Sequence, residues 1–229
     1  MGKVIAMIPA RMGSQRLAKK NLRALRGVPL IVRAIRKCQS AGCFDEIWVN
    51  SEDAAFAPIA EAEGVRFHRR PEELGNNNAT SEDFIKEFFH AHECERLAQV
   101  HSIAPLLTAK EVRDFVNAWL DSGHDVMLSC IHDQIEVAYR NQPVNFTFAH
   151  KTNSQDLDPV QRITWSITGW KREAYLDAAN QGKTATYNGS VGFYPVSPIS
   201  GHVIKVQQDL DIAEALLNVI EPVDGVEPK

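Results

Sequence analysis

The sequence predicts an α/β fold in which helices cover both faces of a mostly parallel sheet. Short β-rich runs alternate with amphipathic helical patterns through residues 1–131, and this alternation is typical of successive βαβ units. A chain of 229 residues with 44% apolar content is also long enough to bury a large core in one main domain. The predicted strands are Val4–Ile8, Ile47–Asn50, Val65–His68, Leu97–His101 and Val126–Ile131.

Helical patterns separate and follow these strands. The clearest begins at Ala109, because Thr108 and Glu111 have the spacing of a capping box and Gly123 predicts the end of the helix. Ligands of such folds gather at the carboxyl ends of the parallel strands, so we expect the functional motifs there. The other predicted helices are Pro29–Gln39, Ala54–Glu63, one that Ser81 opens as its N-cap, and Leu210–Ile220.

The alternation stops after Ile131. Residues 132–168 are polar, contain Pro143 and Pro159, and include two extended runs with aromatic residues, Phe146–Ala149 and Ile163–Thr168. We therefore divide the chain into an α/β core of residues 1–131 and 169–229 and an inserted arm of residues 132–168. Apolar residues in so irregular a segment are expected to bury against the core or a partner subunit. They are Phe146, Phe148, Ile163 and Trp165.

Charge and composition argue against several classes of function. A formal charge of −4, from 25 basic and 29 acidic residues, gives no reason to expect a nucleic acid or a membrane as partner. The first apolar run is broken by Pro9 and Arg11 before it could act as a signal peptide, so we expect a cytoplasmic protein. The four cysteines and eight histidines lack zinc or disulfide spacing, and His90 and His92 are interpreted as solvated helix residues.

A basic loop, Pro9–Asn21, follows the first predicted strand. It places four cations and Gly13 in one strand-to-helix connection that is neither a Walker A motif nor Gly-x-Gly-x-x-Gly. Gly13 permits close backbone approach, Ser14 and nearby N–H groups can donate hydrogen bonds, and Arg11 can make forked contacts with phosphate. A solvated basic turn is the alternative. The position at the carboxyl end of a strand favours a polyphosphate site.

The loop also resembles the signature of a known family. Its pattern Ile-Pro-Ala-Arg-x-Gly-Ser-x-Arg-Leu-x-x-Lys-Asn, at residues 8–21, is similar to that of the CMP-sugar synthetases. These include the acylneuraminate cytidylyltransferases and their relatives for 3-deoxy-manno-octulosonate, legionaminate and pseudaminate. Further stretches fit in the same order along the chain: Gly27–Ile31, Phe44–Ile47, Arg70–Leu74, Ala79–Ser81 and Asp209–Glu214.

The resemblance implies a fold, an activity and an assembly. The fold is the Rossmann-like nucleotide-diphospho-sugar transferase fold with an extended dimerisation arm, for which residues 132–168 are the candidate. The activity is the transfer of CMP from CTP to the anomeric hydroxyl of an acidic 2-keto-3-deoxy sugar, with release of pyrophosphate. The assembly is a homodimer.

The resemblance also implies roles for individual residues. Arg11 and Lys20 would be catalytic and hold the triphosphate, and Gln161 and Arg162 are candidates for binding the sugar acid. The expected nucleotide contacts are Ala10, Arg11, Gly13, Ser14, Lys20, Asn21, Arg70, Ser81 and His101. Structural alternatives remain open for three of them, since Asn21 could cap a turn, Arg70 could be a surface residue, and Ser81 could act only as an N-cap.

The sequence departs from the family pattern at several positions. His101 stands where a glutamine is common, and Asn76–Asn78 replace a loop that often carries an aspartate near Asn77. Mg2+ is expected from the resemblance, yet Val203 and Lys205 occupy the positions of its usual aspartate ligands, so the metal site is unknown. The two acidic residues downstream, Asp209 and Asp211, are interpreted as capping the last helix.

Three functions remain open. The first is a cytidylyltransferase acting on an acidic 2-keto sugar. The second is a divergent homologue that binds a nucleotide or nucleotide sugar with little or no turnover, because the metal ligands are missing. The third is a pyrophosphorylase of the same fold that uses another base, which His101 would permit. Trp165 and Ser166 replace an Asn-Gly pair frequent in sialate enzymes, so pseudaminate-like sugars stay as open as sialate.

Overall fold

The computed structural model of the chain describes residues 2–76 and 78–220, except for the side chain of Val219. Asn77, near which the family often has an aspartate, lies outside these residues. So does the end of the predicted core segment 169–229. The main sheet contains β1 (Val4–Pro9), β2 (Glu46–Ser51), β3 (Arg66–Arg69), β4 (Arg96–Val100), β5 (Val126–Asp133), β6 (Val160–Lys171) and β7 (Val191–Pro195). The α-helices are α1 (Leu30–Ala41), α2 (Ala57–Ala62), α3 (Ser81–Ala91), α4 (Ala109–Ser122), α5 (Arg172–Asn180) and α6 (Gln207–Ile220).

The sheet is mostly parallel, as predicted. Its strand order is β7-β5-β6-β4-β1-β2-β3, and β6 alone runs antiparallel to its neighbours among these strands. From β1 the chain moves to β2 and β3 on one side and then returns to β4 on the other. The carboxyl ends of β1 and β4 therefore flank a topological switch point, where doubly wound folds place their ligands.

Helices pack against both faces of the sheet, and the alternation of β1 explains how. Ala6 and Ile8 point to the face that α1 and α4 cover, whereas Ile5 and Met7 point to the face that α3 and α5 cover. All four side chains are completely buried. A third apolar cluster packs α6 against the region before α1, through residues that include Leu17, Leu25, Leu210 and Leu217.

Two helix starts test the sequence prediction in detail. The capping box of α4 is confirmed, because Thr108 Oγ1 accepts from the Glu111 amide at 3.1 Å and the Glu111 carboxylate accepts from the Thr108 amide at 2.9 Å. The N-cap predicted for α3 is wrong. Thr80, not Ser81, has the extended backbone of an N-cap and closes a capping box with Asp83. Ser81 is the first helical residue and is exposed.

The predicted arm is shorter than expected. Residues 160–168 belong to β6 in the main sheet, and only residues 134–159 lie outside it, with a small ladder between Ala138–Tyr139 and Gln142–Pro143. The extended run Ile163–Thr168 is confirmed as part of this strand, but its place in the main sheet was not predicted, because the strand buries hydroxyl side chains. Thr164 and Ser166 are buried, and Thr164 Oγ1 pairs with Ser129 Oγ of β5 at 2.9 Å.

Apolar residues of the predicted arm differ in their surroundings. Ile163 and Trp165 of β6 pack partly against the core, whereas Phe148 is 73% exposed and contacts the ring of Phe146 at 5.7 Å between centroids. Burial of Phe148 against a partner subunit stays a prediction. Within the described residues, no helix has the length and apolar character needed to cross a membrane.

The interpretation of His92 as a solvated residue is wrong. Its ring lies against Trp48, with 4.1 Å between centroids, and its Nε2 is 2.9 Å from His68 Nδ1. The Nε2 atom of His68 in turn contacts the Glu87 carboxylate at 2.8 Å. His92 ends α3 and folds back over β2 and β3, which a count along the helix cannot reveal, whereas His90 is exposed as expected.

Candidate functional site

The basic loop after β1 is anchored on one side to the carboxyl end of β2. The Ala10 amide donates to the Asn50 carbonyl at 2.9 Å, and the Met12 amide donates to Glu52 Oε1 at 3.0 Å. The Ser14 amide donates to the Met12 carbonyl at 3.0 Å and tightens the turn. A Cβ at Gly13 would lie more than 4 Å from any neighbouring described atom, so internal packing does not require glycine there.

Asn21 anchors the loop on the other side. Its Nδ2 donates to the Arg11 carbonyl at 2.9 Å, and its Oδ1 accepts from Ser102 Oγ at 2.7 Å. Ser102 directly follows His101 at the end of β4, so one buried amide joins both walls of the switch point. The Asn21 side chain therefore does not cap the following turn, which was the structural alternative.

Arg70 is buried beside this crevice. Only 3% of it is exposed, and its guanidinium donates to Glu52 Oε2 at 2.8 Å and to Asn50 Oδ1 at 3.0 Å. The guanidinium also lies 4.7 Å from the ring centroid of Phe84 in α3. Arg70 is thus not a surface arginine. Its hydrogen bonds fix Glu52, which in turn receives the Met12 amide of the loop.

Positive charge is concentrated around Lys20. Burial, Arg16 and Arg11 lower the pKa of Lys20, in that order, and Lys205 adds to the effect while Asp209 opposes it. Lys205 therefore lies close enough to join the cations of the loop electrostatically. Cations held this close together repel one another, and a bound polyphosphate would relieve that repulsion.

His101 lies next to this cluster and is neutral at pH 7. Burial, and then the charge of Lys20, lower its pKa to about 4. Its amide donates to the Ser166 carbonyl of β6 at 3.1 Å, which fixes the first residue after β4. A neutral imidazole can donate or accept one hydrogen bond but brings no charge to the site.

A bulge of β6 lies beside His101. The register with β5 slips between Ile163 and Thr168, so that Ser129 is the one β5 residue opposite residues 164–167, and Trp165 has a left-handed φ of 59°. Such a φ is a genuine outlier for a bulky residue. Ser129 Oγ accepts from the Ile167 amide at 3.1 Å, and Ser166 Oγ donates to the Ser200 carbonyl at 3.0 Å. These bonds hold the bulge beside His101.

The stretch that carries Val203 and Lys205 lies beside the segment after β4, since the Ile204 amide donates to the Ile103 carbonyl at 2.8 Å. Asp209 Oδ2 accepts from the amides of Lys205 and Val206, at 2.7 and 2.9 Å, so it caps the start of α6 as interpreted. Although burial acts to raise it, these donors hold the pKa of Asp209 below its usual value.

Magnesium does not fit these side chains as a protein-held ion. Val203 offers no ligand atom, Lys205 would repel a cation, and Asp209 already accepts two backbone hydrogen bonds with one oxygen. Across residues 2–76 and 78–220, no group of three or more His, Cys, Asp or Glu side chains is placed to hold a metal. Asp211 is used locally, since it accepts from Gln207 Nε2 at 2.7 Å.

The two candidate sugar-binding residues lie at the same edge of the sheet but further out. Val160 pairs with Asp133 and Ile167 pairs with Val100, so the start of β6, with Gln161 and Arg162, runs past the end of β4. Both side chains are exposed, and Arg162 Nε donates to Asp133 Oδ2 at 2.5 Å. No contact observed among the described residues joins them to the basic loop.

Sequence reasoning missed three residues of the site. Asn50 lies near the end of β2, Glu52 follows β2, and Ser102 lies just after β4, so all three are at the carboxyl ends of parallel strands. The same rule that identified the basic loop could have identified them. Their partners could not have been found, because each hydrogen bond joins segments far apart in the chain.

Comparisons with known proteins identify the family of this chain. A cytidylyltransferase family model matches residues 5–216. N-acylneuraminate cytidylyltransferase A of Danio rerio is 27% identical over 220 residues, which cover 92% of this chain and 50% of that protein. N-acylneuraminate cytidylyltransferase of Streptococcus agalactiae serotype III (strain NEM316) is 28% identical over 199 residues, covering 81% of this chain and 47% of that protein. The chain thus spans about half the length of these curated relatives.

Solved structures share the fold. CMP:2-keto-3-deoxy-manno-octonic acid synthetase complexed with CTP superimposes with a TM-score of 0.73 at 16% identity, covering 95% of this chain and 99% of that one. 4-Diphosphocytidyl-2C-methyl-D-erythritol synthase from Anaerococcus prevotii gives 0.69 at 14% identity, with 94% and 98% covered. The predicted Rossmann-like fold and the predicted resemblance are therefore confirmed, and the chain belongs to the cytidylyltransferase family.

Proposed function

We propose that this chain transfers CMP from CTP to the anomeric hydroxyl of an acidic 2-keto-3-deoxy sugar of the acylneuraminate, legionaminate or pseudaminate class. The observation that carries the proposal is the cation-rich loop at residues 9–21, which Glu52 fixes to the end of β2 and Asn21 fixes to the end of β4. The relatives named N-acylneuraminate cytidylyltransferase support this class of acceptor.

In this reaction the anomeric oxygen forms a bond to the α-phosphorus of CTP. The bond from that phosphorus to the oxygen bridging to the β-phosphate breaks, pyrophosphate leaves, and the hydroxyl proton is released to water. Arg11 and Lys20 would hold the phosphates and offset the charge that develops on the leaving group. The uncharged His101 would contribute a single hydrogen bond to the nucleotide or the sugar.

Lys205 would take over part of the positive charge that the resemblance assigns to Mg2+. Its charge already acts on Lys20, beside the loop that would bind the triphosphate. Nucleotide binding would then depend on Mg2+ less than in relatives that hold the ion with a pair of carboxylates. Because CTP is a metabolite of the cytoplasm, the proposed reaction would take place there.

A second candidate is the binding of a nucleotide or nucleotide sugar without turnover. The observation in its favour is the same pair of residues, Val203 and Lys205, at the positions of the usual metal ligands. If the reaction requires a protein-held divalent ion, this chain would retain the nucleotide site and lose the chemical step.

The experiment that separates these functions is a pyrophosphate-release assay with each nucleoside triphosphate and a panel of keto-acid sugars. The expected result is release with CTP but with no other nucleoside triphosphate. Release should also require an acidic keto sugar. Release with another triphosphate would instead favour a pyrophosphorylase of different base specificity. If calorimetry finds CTP binding and no pair releases pyrophosphate, the binding function replaces the proposed one.

We also propose that the chain is a homodimer through the arm. Four apolar side chains of residues 134–159 are 56% to 73% exposed, which is unusual for a segment that stays in water. They are Ile135, Tyr139, Val144 and Phe148. Light scattering at micromolar concentration should give the mass of a dimer, and Phe148→Asp should shift it toward the monomer. A monomeric wild-type chain would contradict the assignment.

A further inference from the structure

A cavity of about 330 Å³ lies between α1, α6 and the segment that follows β4. None of the residues assigned above to the nucleotide or the sugar lines it. Its volume falls at the lower end of the range that small-molecule pockets occupy. Three cations of α1 contribute to the lining, together with several apolar side chains. The cations are Arg33, Arg36 and Lys37, and the apolar residues include Leu106, Leu107 and Leu217.

Lys37 is the unusual member of this set, because its ammonium group is buried and pairs with no carboxylate among the described residues. Only 8% of the residue is exposed, and Nζ donates one hydrogen bond, to the Ala104 carbonyl at 2.7 Å. Among the described residues, no carboxylate lies within ion-pair distance of Nζ. A buried charge in this state is costly unless something else compensates it.

Charges of both signs lie around Lys37, and Glu111 acts on it through space more strongly than Arg33 does. Arg33 Nε donates to the Leu25 carbonyl at 3.0 Å, and Arg36 forms an ion pair with Glu63 at 2.8 Å. The lining also includes Ala109, at the N-terminus of α4, where the helix dipole is positive. Glu111 acts on Lys37 only through space, and no acidic residue lines the cavity in the described part of the chain.

We propose that this cavity binds a small organic anion, whose phosphate or carboxylate group contacts Lys37 and whose apolar part packs on Leu106, Leu107 and Leu217. The anion would supply a counter-charge that no carboxylate of the described residues provides within ion-pair distance. An amphiphilic ligand fits better than an inorganic ion, because cations and apolar residues share the lining. The site is separate from the nucleotide crevice, so the proposal does not depend on the function proposed above.

Calorimetric titration of the full chain at pH 7 with phenyl phosphate, benzoate, inorganic phosphate and benzyl alcohol tests the proposal. Burial lowers the pKa of Lys37 to about 8, so most of the ammonium is protonated at this pH. The two aromatic anions should bind, inorganic phosphate should bind more weakly, and benzyl alcohol should not bind. Comparison of phenyl phosphate with benzoate then shows which anionic group the site prefers. Absence of saturable binding of both aromatic anions up to millimolar concentration would overturn the proposal.

Variants separate this cavity from the nucleotide loop, which also attracts anions. Lys37→Met keeps the length of the side chain and should weaken binding of the aromatic anions by roughly tenfold or more, because a charge-assisted contact is lost. Lys20→Met should weaken CTP binding and leave binding of the aromatic anions unchanged. If Lys20→Met abolishes the binding and Lys37→Met does not, the anions occupy the loop and the proposal fails.

A second pair of variants does not depend on how Lys37→Met folds. Ser40 is an exposed residue of α1 that lines the cavity, whereas the neighbouring Gln39 is exposed and does not line it. Ser40→Trp should obstruct the cavity and reduce the affinity for phenyl phosphate, and Gln39→Trp should leave it near the wild-type value. Equal affinities in the two tryptophan variants would contradict binding in this cavity.

Discussion

Ser102 Oγ donates a hydrogen bond of 2.7 Å to Asn21 Oδ1, while Nδ2 of the same amide donates to the Arg11 carbonyl at 2.9 Å. The two strands that flank the switch point are thus joined by one buried side chain. This relationship sets the position of Arg11, whose carbonyl Asn21 holds and whose side chain is predicted to bind phosphate.

Ser102→Ala should destabilise the fold and loosen the loop. The substitution leaves Asn21 Oδ1 buried without this donor, and we expect a loss of about 1–3 kcal/mol in the free energy of unfolding. Urea denaturation measures the loss, and Ser154→Ala, at an exposed position of the arm, serves as control. An unfolding midpoint equal to that of the wild type would show that this hydrogen bond contributes nothing.

Arg11→Ala should weaken CTP binding by roughly tenfold to a hundredfold, because a charge-assisted guanidinium–phosphate contact is lost. Isothermal titration with CTP measures the dissociation constant. Arg140→Ala is the matched control, since it removes the same charge from an exposed position in the arm. If both variants bind CTP as the wild type does, the assignment of the loop to phosphate binding is wrong.

Glu52→Gln should lower the free energy of unfolding more than a substitution at an ordinary residue just after a strand. The change keeps the shape of the side chain but leaves the buried Arg70 guanidinium without its carboxylate, at a cost on the order of 3 kcal/mol. The double variant Glu52→Gln/Arg70→Met should recover part of that stability, because the unpaired charge is gone. A double-mutant cycle by urea unfolding measures the coupling, and simple additivity would contradict the ion pair.

Lys205→Asp tests whether this lysine replaces part of the role of a metal. We expect weaker CTP binding without metal, because a charge near Lys20 is reversed, together with a new requirement for Mg2+. Titrations with CTP in the presence of a chelator and in the presence of Mg2+ give both quantities. Unchanged affinity and unchanged metal dependence would mean that Lys205 only faces solvent.

His92 should make stability depend on pH below neutrality. Burial, and then His68, lower its pKa from 6.5 to about 4, so the unfolded chain binds more protons than the native one between these values. Stability should therefore fall as the pH falls from about 6.5 to 4. The difference in unfolding free energy between pH 7 and pH 5 should be smaller in His92→Gln, and the exposed control His90→Gln should keep the wild-type difference. Equal differences in both variants would contradict the shift.

The sequence was sufficient for features that depend on neighbours along the chain. The Thr108–Glu111 capping box and the basic loop are local patterns, and both lie where they were expected. The hydrogen bonds between Glu52 and Arg70 and between Asn21 and Ser102 join distant segments. The periodicity of apolar residues along the chain therefore cannot predict them. The extended run Ile163–Thr168 was expected, but its place in the sheet was not, since Thr164 and Ser166 are polar in sequence and satisfy their hydroxyl groups inside the sheet.

The place of β6 in the sheet has a consequence for the order in which the molecule can fold. β4 and β5 follow each other along the chain, yet β6 lies between them, so the two halves of the sheet stay apart until residues 160–171 are available. During synthesis, the edge of β4 would remain open while the arm emerges from the ribosome, and open strand edges promote aggregation. Folding of this chain should therefore be limited by the late insertion of one strand, a step of high contact order.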